Sequence, residues 1–461
     1  MEETELQISL AEQILKEIVV DDVPFNEALR KKFQPRENEP LRKYRSFVAG
    51  LVGCELRHHL LFTALLKKIE GLDEDEKRLV ALGLADVYYY KRVGYEEMAA
   101  LVKARLGDEK FALVEPLFQK ALSEVHDFMP EDAGQSWTDQ YLSLRYNCPE
   151  WAMRIWSHYG KGVMGKILRK NARPGTISVR LGAPIDPSSF YEANPDFKPS
   201  TVEGIAYYTG KSPLRRLPDY VNGTIWLERP ATKFVLDQLP LETPAEALVY
   251  SGLEDSSLLL EAVERYSNVA LNLGCKSKNH HVAVSRLIKS KDLKTVNFFE
   301  GEASDALLTA AVSRPVDLAI CAPLSSSFDQ IRESPDFLLH FKNEEMEKVL
   351  AEEKATLEAV SKFVVTGGKL VYMVYTISML EGHRTVNNFI MAHPEFHLES
   401  ERQIFPFEDL DTALYYAVLT KQELAVDPET PETKVEETPV SAVPPTPAYV
   451  DPAMPASLQG K

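Results

Sequence analysis

Short runs of β-branched and aromatic residues alternate with helical segments in the C-terminal half of this 461-residue chain. Four such runs lie at 269–273, 295–299, 316–320 and 369–374. A long helical segment at 344–364 precedes the last of them. Because parallel strands are joined by long crossovers that are commonly helices, the alternation predicts an α/β domain built on a parallel sheet. Residues 412–419 are expected to add a last strand.

The N-terminal region has a helical pattern instead. Leu41, Tyr44, Val48 and Leu51 recur at the spacing of one helix face. This period breaks in a polar segment at 127–137, which is predicted to be a linker. The expected fold is therefore multidomain, α plus α/β, with these parts: an all-α domain at 1–130, a small α+β domain at 138–245 and an α/β domain at 246–421.

The last 40 residues, 422–461, contain eight prolines and seven acidic residues against two lysines. Such a segment has too little apolar surface to offset the entropy lost on folding. It is expected to be a disordered acidic tail, and the sequence does not identify a partner for it.

Charge and hydropathy limit the cellular setting. The net charge is −17, so the chain cannot be a protein that is basic all over. It has no run of about 18 uncharged apolar residues, and its first residues are acidic rather than those of a signal peptide. A cytoplasmic protein that does not enter a membrane is expected.

Metal and disulfide chemistry are not indicated. Cys54, Cys148, Cys275 and Cys321 are widely separated and form no CxxC motif. Adjacent histidines, as at His58, point about 100° apart on a helix and rarely share one ion. Reduced cysteines and no metal site are expected.

One segment departs from the acidic character of the chain. Residues 151–182 contain no Asp or Glu but carry seven cations: Arg154, Lys161, Lys166, Arg169, Lys170, Arg173 and Arg180. A patch that binds RNA phosphates and a solvated helix face both explain this composition, and both readings stay open. A second basic stretch, 276–294, is interpreted as solvated surface.

Several segments together resemble one known family. Residues 145–151 read Arg-Tyr-Asn-Cys-Pro-Glu-Trp, and 316–325 read Val-Asp-Leu-Ala-Ile-Cys-Ala-Pro-Leu-Ser. Residues 367–372 read Gly-Gly-Lys-Leu-Val-Tyr. In this order they resemble the Sun/RsmB family of bacterial ribosomal RNA cytosine-C5 methyltransferases, which carry similar Tyr-Ser-x-Pro-x-Trp and Asp-Ala-Pro-Cys-Ser motifs. The resemblance covers about residues 1–421.

The resemblance implies a NusB-like RNA-binding domain at the N-terminus, an RNA-binding linker subdomain and a Rossmann-like methyltransferase-type sheet. It also implies that the partner is structured RNA, ribosomal in the family, and that the protein is a monomer. The family's methyl donor is S-adenosyl-L-methionine.

The family's two cysteines are absent from this chain. Leu324 stands at the Asp-Ala-Pro-Cys cysteine, and Tyr375 stands at the cysteine of the later Thr-Cys-Ser motif. Family enzymes attack carbon 6 of cytosine with a thiolate so that carbon 5 can accept the methyl group. A phenol with an ordinary pKa near 10 stays protonated at neutral pH, and leucine has no acid–base chemistry. Catalysis is therefore expected to be lost.

The cofactor motif is degenerate as well. The family loop Asp-x-Cys-Ala-Ala-Pro-Gly-Gly-Lys follows the first strand, and it is matched here to 272–280, which keeps one glycine. The family's cofactor positions then fall near the following residues: Asn272, Gly274, Cys275, Asp305 and Cys321. No cofactor is expected to bind, whereas S-adenosyl-L-methionine would bind if the family activity survives.

The leading hypothesis is an RNA-binding relative of these enzymes that has lost catalysis. One alternative is an active methyltransferase with diverged motifs. The other is an interaction scaffold that uses the acidic tail.

Overall fold

The computed structural model describes residues 2–122, 129–130, 133–134, 138–239, 244–253, 255–277 and 280–423. The predicted tail, apart from its first two residues, and most of the predicted linker lie outside this part of the chain. Residues 2–423 belong to one compact unit. Within the described residues, no helix combines the length and the apolar character that a membrane span requires.

The N-terminal region is helical, as predicted. Its helices are α1 Glu2–Val19, α2 Phe25–Phe33, α3 Arg45–Leu56, α4 His59–Leu66, α5 Glu74–Ala85, α6 Tyr95–Leu106 and α7 Asp108–Lys120. Their apolar faces form one core that includes Ile14, Val52 and Phe118. A capping box between Asp73 and Glu76 defines the start of α5, because each side chain bonds the backbone N–H of the other residue.

The middle region combines short helices with a small antiparallel sheet. Its elements are α8 Asp139–Tyr146, α9 Glu150–Trp156, α10 Lys161–Asn171, β1 Ile177–Leu181, α11 Pro187–Ala193, β2 Phe197–Pro199, β3 Ile205–Tyr208, α12 Pro218–Asn222, β4 Ile225–Leu227 and α13 Pro230–Gln238. The strand order is β2-β3-β1-β4.

The C-terminal region is a seven-stranded sheet with helices on both faces. Its elements are β5 Glu246–Ser251, α14 Ser257–Arg265, β6 Ala270–Cys275, α15 His281–Ser290, β7 Val296–Glu300, α16 Asp305–Ala311, β8 Val316–Ala322, α17 Phe337–His340, α18 Asn343–Ser361, β9 Val364–Val374, α19 Thr385–Ala392, β10 Phe396–Ile404 and β11 Leu414–Lys421. The strand order is β7-β6-β5-β8-β9-β11-β10. This is the Rossmann-like methyltransferase-type sheet that the resemblance implies.

The predicted parallel sheet is present, but the sheet has an antiparallel end and two strands that were not predicted. Strand β11 runs antiparallel to β9 and to β10, so the sheet is mixed. Strand β10 escaped prediction because charged and polar side chains occupy most of its positions, as suits an edge strand. Strand β5 was also missed, and it is the first strand of this sheet. The run at 269–273 therefore contributes to the second strand, β6, rather than the first.

Direct hydrogen bonds join the N-terminal helices to the rest of the unit. Asn147, which follows α8, donates from Nδ2 to the Leu56 carbonyl at 2.7 Å and accepts the Leu60 N–H at 2.9 Å. The backbone N–H of Phe25 donates to Asp336 Oδ2 at 2.7 Å. Asn147 has φ of 50°, a left-handed conformation that asparagine tolerates better than most residues.

Two substitutions of Asn147 separate the stabilisation by its side-chain hydrogen bonds from the effect of its left-handed backbone conformation. Asn147→Gly should lower the free energy of unfolding by about 2 kcal/mol, because two hydrogen bonds are lost while the left-handed backbone is kept. Asn147→Ala should lower it by about 3 kcal/mol, because the Cβ adds strain. Urea denaturation measures both values. Two variants as stable as the parent chain would contradict the assigned role of Asn147.

Candidate functional site

The site is positioned by the strand order of the large sheet. Strand β5 has β6 on one side and β8 on the other. The strands β6 and β7 are therefore added on one side of β5, and the later strands are added on its other side. Ligands of open α/β sheets bind at the carboxyl ends of the strands that flank such a switch point. A pocket of about 460 Å³ lies there. Its walls come from the loops after β5, β8 and β9 and from α18.

The loops after β5 and β8 approach each other very closely. A Cβ atom on Gly252 would lie 2.4 Å from the backbone nitrogen of Leu324, so only glycine fits there. The Gly252 N–H donates to the Ala322 carbonyl at 2.7 Å, which fixes the two loops together.

Hydrogen bonds to the buried Glu381 fix the loop after β8. Its carboxylate accepts the Ser326 N–H at 2.6 Å, the Ser326 hydroxyl at 2.7 Å and the Thr376 hydroxyl at 2.6 Å. Burial raises the pKa of Glu381, and these donors partly offset that rise. The loop carrying Ser325, Ser326 and Ser327 is thus a fixed wall of the pocket.

A partly buried arginine, with a side chain that is 19% exposed, lies between two carboxylates in the lining of the pocket. Arg229, between β4 and α13, donates from Nε to Asp329 Oδ2 at 3.2 Å and also bonds Asp255. Asp255 follows β5, and Asp329 follows β8. We call this set of three residues the Arg229 clamp. Sequence analysis missed it, since its members lie far apart along the chain and the Arg-Pro step before α13 is a weak signal.

The two carboxylates of the clamp have different ionisation properties. Burial raises the pKa of Asp329 to about 7. Burial acts in the same direction on Asp255, but the positive charge of Arg229 outweighs it and the pKa of Asp255 lies below its ordinary value. One guanidinium charge therefore compensates one carboxylate. Asp329 Oδ1 is buried and has no hydrogen-bond partner among the described residues.

The structure brings Leu324 and Tyr375 together at the pocket, as expected for residues that follow the neighbouring strands β8 and β9. Tyr375 is only 1% exposed. Its hydroxyl is 2.7 Å from Thr232 Oγ1, and the Arg229 guanidinium lies 4.8 Å from its ring centre. Burial raises the pKa of the Tyr375 phenol.

The five predicted cofactor positions do not line this pocket. Asn272, Gly274 and Cys275 lie in β6, and Asn272 donates to Glu246 Oε1 at 3.2 Å. Asp305 begins α16 and pairs with Lys362. Cys321 is fully buried in β8, and burial raises the pKa of its thiol.

The seven cations of the predicted basic patch differ in their exposure to solvent. Five of its cations are exposed: Arg154, Lys161, Lys166, Arg169 and Arg173. Lys170 instead pairs with Asp411 at 2.6 Å. Arg180 is not a surface cation, since its Nε donates to Glu261 Oε2 at 2.9 Å and its side chain is 14% exposed.

The second basic stretch and the histidine pairs have ordinary structural contacts. Lys276 binds Glu352 at 2.7 Å, and Lys291 binds Glu264 at 3.0 Å. His58 stacks on Tyr89 with ring centres 3.7 Å apart. Among the residues that the structure describes, no three His, Cys, Asp or Glu side chains come together as a metal site requires.

The clamp predicts a pH dependence of stability. Because the pKa of Asp329 rises on folding, its proton favours the folded state below the unfolded pKa of about 4, and this contribution is lost as the pH rises to about 7. The loss is worth about 4 kcal/mol. Asp329→Asn should flatten the fall in urea-unfolding free energy between pH 4 and about 7.5, whereas the exposed Asp409→Asn should not. A parallel fall in Asp329→Asn would contradict this ionisation state.

Known proteins were compared with the chain in sequence. No protein-family model matches it. Ribosomal RNA small subunit methyltransferase B of Xanthomonas campestris pv. campestris is 22% identical over 400 residues, which cover 82% of this chain and 89% of that protein.

Solved structures were compared as well. The structure of PH0851 superposes with a TM-score of 0.64 at 15% identity, covering 90% of this chain and 98% of the other. A methyltransferase homologue from Pyrococcus horikoshii superposes with a TM-score of 0.50 at 13% identity, covering 62% of this chain and 100% of the other. These structures share the fold, and the sequence match spans most of both chains. The predicted resemblance to the Sun/RsmB family of ribosomal RNA methyltransferases is confirmed.

Proposed function

We propose that this protein binds structured RNA, as its family does, and has lost methyl transfer. The observation that carries the loss of catalysis is the burial of Tyr375 beneath Arg229 at the position of the family's cysteine nucleophile. A cytosine base needs a thiolate and open space at that point. The chain instead places there a protonated phenol, held by Thr232 and covered by a guanidinium.

No other thiol is placed to act as the nucleophile. Leu324 takes the position of the second family cysteine and lines the pocket without any acid–base group. Cys321 lies three residues earlier inside β8. Its burial and its raised pKa keep the thiol protonated and inaccessible.

The cofactor loop needs a revised alignment, which supports the same conclusion. Because β5 is the first strand, the family's glycine-rich loop corresponds to the residues after β5 rather than to 272–280. Gly252 is the glycine that follows this strand, and Asp255 is engaged by Arg229. The acid that normally holds a ribose follows the second strand. Lys276 follows β6 here, and it binds Glu352.

The exposed cations of the 151–182 segment support RNA binding in an otherwise acidic chain. Lys166 and Arg169 lie three residues apart on α10, so they project from neighbouring positions on one face. Phosphate contacts require this kind of local concentration of positive charge.

The remaining assignments follow from the family. We assign residues 1–130 as the NusB-like RNA-binding domain, 138–245 as the linker subdomain and 246–421 as the methyltransferase-like domain. The RNA is ribosomal, and the protein is a cytoplasmic monomer. The alternative function, an active methyltransferase, is supported by the sequence similarity to ribosomal RNA small subunit methyltransferase B.

Cofactor binding distinguishes the two functions. We expect no saturable heat on titration with millimolar S-adenosyl-L-methionine and no change in melting temperature, because a ligand that binds only the folded state must raise it. S-adenosylhomocysteine, which lacks the charged sulfonium, serves as a second probe. A saturable isotherm with either compound would contradict the proposed loss of cofactor binding and would favour an active methyltransferase.

RNA binding is tested by reversing charge on α10. Lys166→Glu with Arg169→Glu should weaken binding to a structured ribosomal RNA fragment and flatten the plot of log K against log salt by about 0.7 to 0.9 per lost contact. The matched control is Lys289→Glu with Lys294→Glu, an equal charge change in the second basic stretch. If both double variants weaken RNA binding equally, the cations of α10 contribute only to the net charge of the protein and do not form a local RNA contact.

A further inference from the structure

A second cavity, a cleft of about 830 Å³, lies beside the Arg229 clamp and belongs to none of the predicted sites. Its walls come from all three regions of the unit. Arg45 and Arg57 flank α3, residues 174–178 lead into β1, and Arg215 precedes α12. Because Arg45 begins α3 and Arg57 follows it, the cleft extends about 18 Å along this helix at 1.5 Å per residue.

The cleft carries positive charge that the protein does not neutralise. Arg45 and Arg215 are exposed, and neither forms an ion pair within the described residues. Arg57 donates only to the carbonyls of Gly53 and Arg332, and its Nε has no partner among those residues. Two exposed guanidinium groups, those of Arg45 and Arg215, therefore line one groove of a chain with net charge −17, while Arg57 is engaged by backbone carbonyls.

The acidic residues of the cleft offset only part of this charge. Asp255 is bound to Arg229 in the clamp. Glu228 is buried, and burial raises its pKa. Glu333 is exposed and supplies one carboxylate against the two exposed arginines.

The floor of the cleft is apolar and exposed. Ile177 in β1 and Leu227 in β4 are 48% and 49% exposed, and the ring of Tyr220 lies on the same wall. Ile177 is the first residue of β1 and Leu227 is the last residue of the edge strand β4. Exposed apolar side chains that cluster in this way commonly mark a binding surface. Arg332 supports this floor, since it donates to the Pro174 carbonyl at 2.9 Å and to Asp411 Oδ1 at 2.6 Å.

We propose, on the basis of the RNA-binding function above, that this cleft holds an unpaired RNA segment. The arginines contact its phosphates, and the apolar floor with Tyr220 contacts its bases. A paired strand keeps its bases stacked inside the helix, so only an unpaired segment can use such a floor. The length of the groove accommodates about five nucleotides at the roughly 3.4 Å spacing of a stacked strand.

The test compares a ten-nucleotide single strand with a hairpin of equal length by fluorescence anisotropy on the full chain. Arg45→Ala with Arg215→Ala should weaken binding of the single strand about tenfold and flatten its salt slope by about 0.7 per contact. Ile177→Ala with Leu227→Ala should weaken it several-fold with the slope unchanged, because no phosphate contact is lost. Both pairs should affect the hairpin less.

Exposed residues remote from the cleft serve as controls. Arg314→Ala, before β8, and Met391→Ala, on α19, should leave the affinity for the single strand unchanged. If the α10 variant loses RNA binding while both cleft pairs bind like the parent chain, the cleft proposal is wrong and the proposed function stands. If the parent chain binds neither RNA, both proposals fail.

Discussion

A single, partly buried guanidinium connects the middle region of the chain to the edge of the large sheet at which the strands end. Arg229 comes from the end of β4, while its partners Asp255 and Asp329 come from the loops after β5 and β8. Arg229 and Asp329 are largely withdrawn from water, with side chains 19% and 5% exposed, so removing one of them would leave the other poorly compensated. The loops after β5 and β8 are therefore held together by an internal ion pair.

The same interaction helps to fix the shape of the pocket. Tyr375 packs against the guanidinium, and Thr232 fixes its hydroxyl. Gly252 lets the two loops meet, and Glu381 secures the serine wall. Each of these contacts stabilises the fold.

Features with a local period could be predicted from the sequence, and features that join distant segments could not. The helices before residue 120 and the strands β6 to β9 have clear apolar patterns, so their existence was predictable. The meeting of Leu324 and Tyr375 was also predictable, because adjacent parallel strands end at the same edge. Strand β10 lacks an apolar pattern, and strand β5 was not predicted either. The clamp spans 100 residues between Arg229 and Asp329, and no periodicity reports such a pairing.

The clamp also lies between the two cavities. Arg229 and Asp255 line both the 460 Å³ pocket and the 830 Å³ cleft, so the two spaces share one charged boundary. The carboxylates are tethered to the same molecule, and their effective concentration near Arg229 exceeds that of most free ligands. An anion that binds in either cavity must therefore compete with the protein's own carboxylates for this guanidinium. Glu345, Lys348 and Glu352 of α18 also line the pocket, so a solute in the pocket meets charged side chains on α18 as well as the clamp.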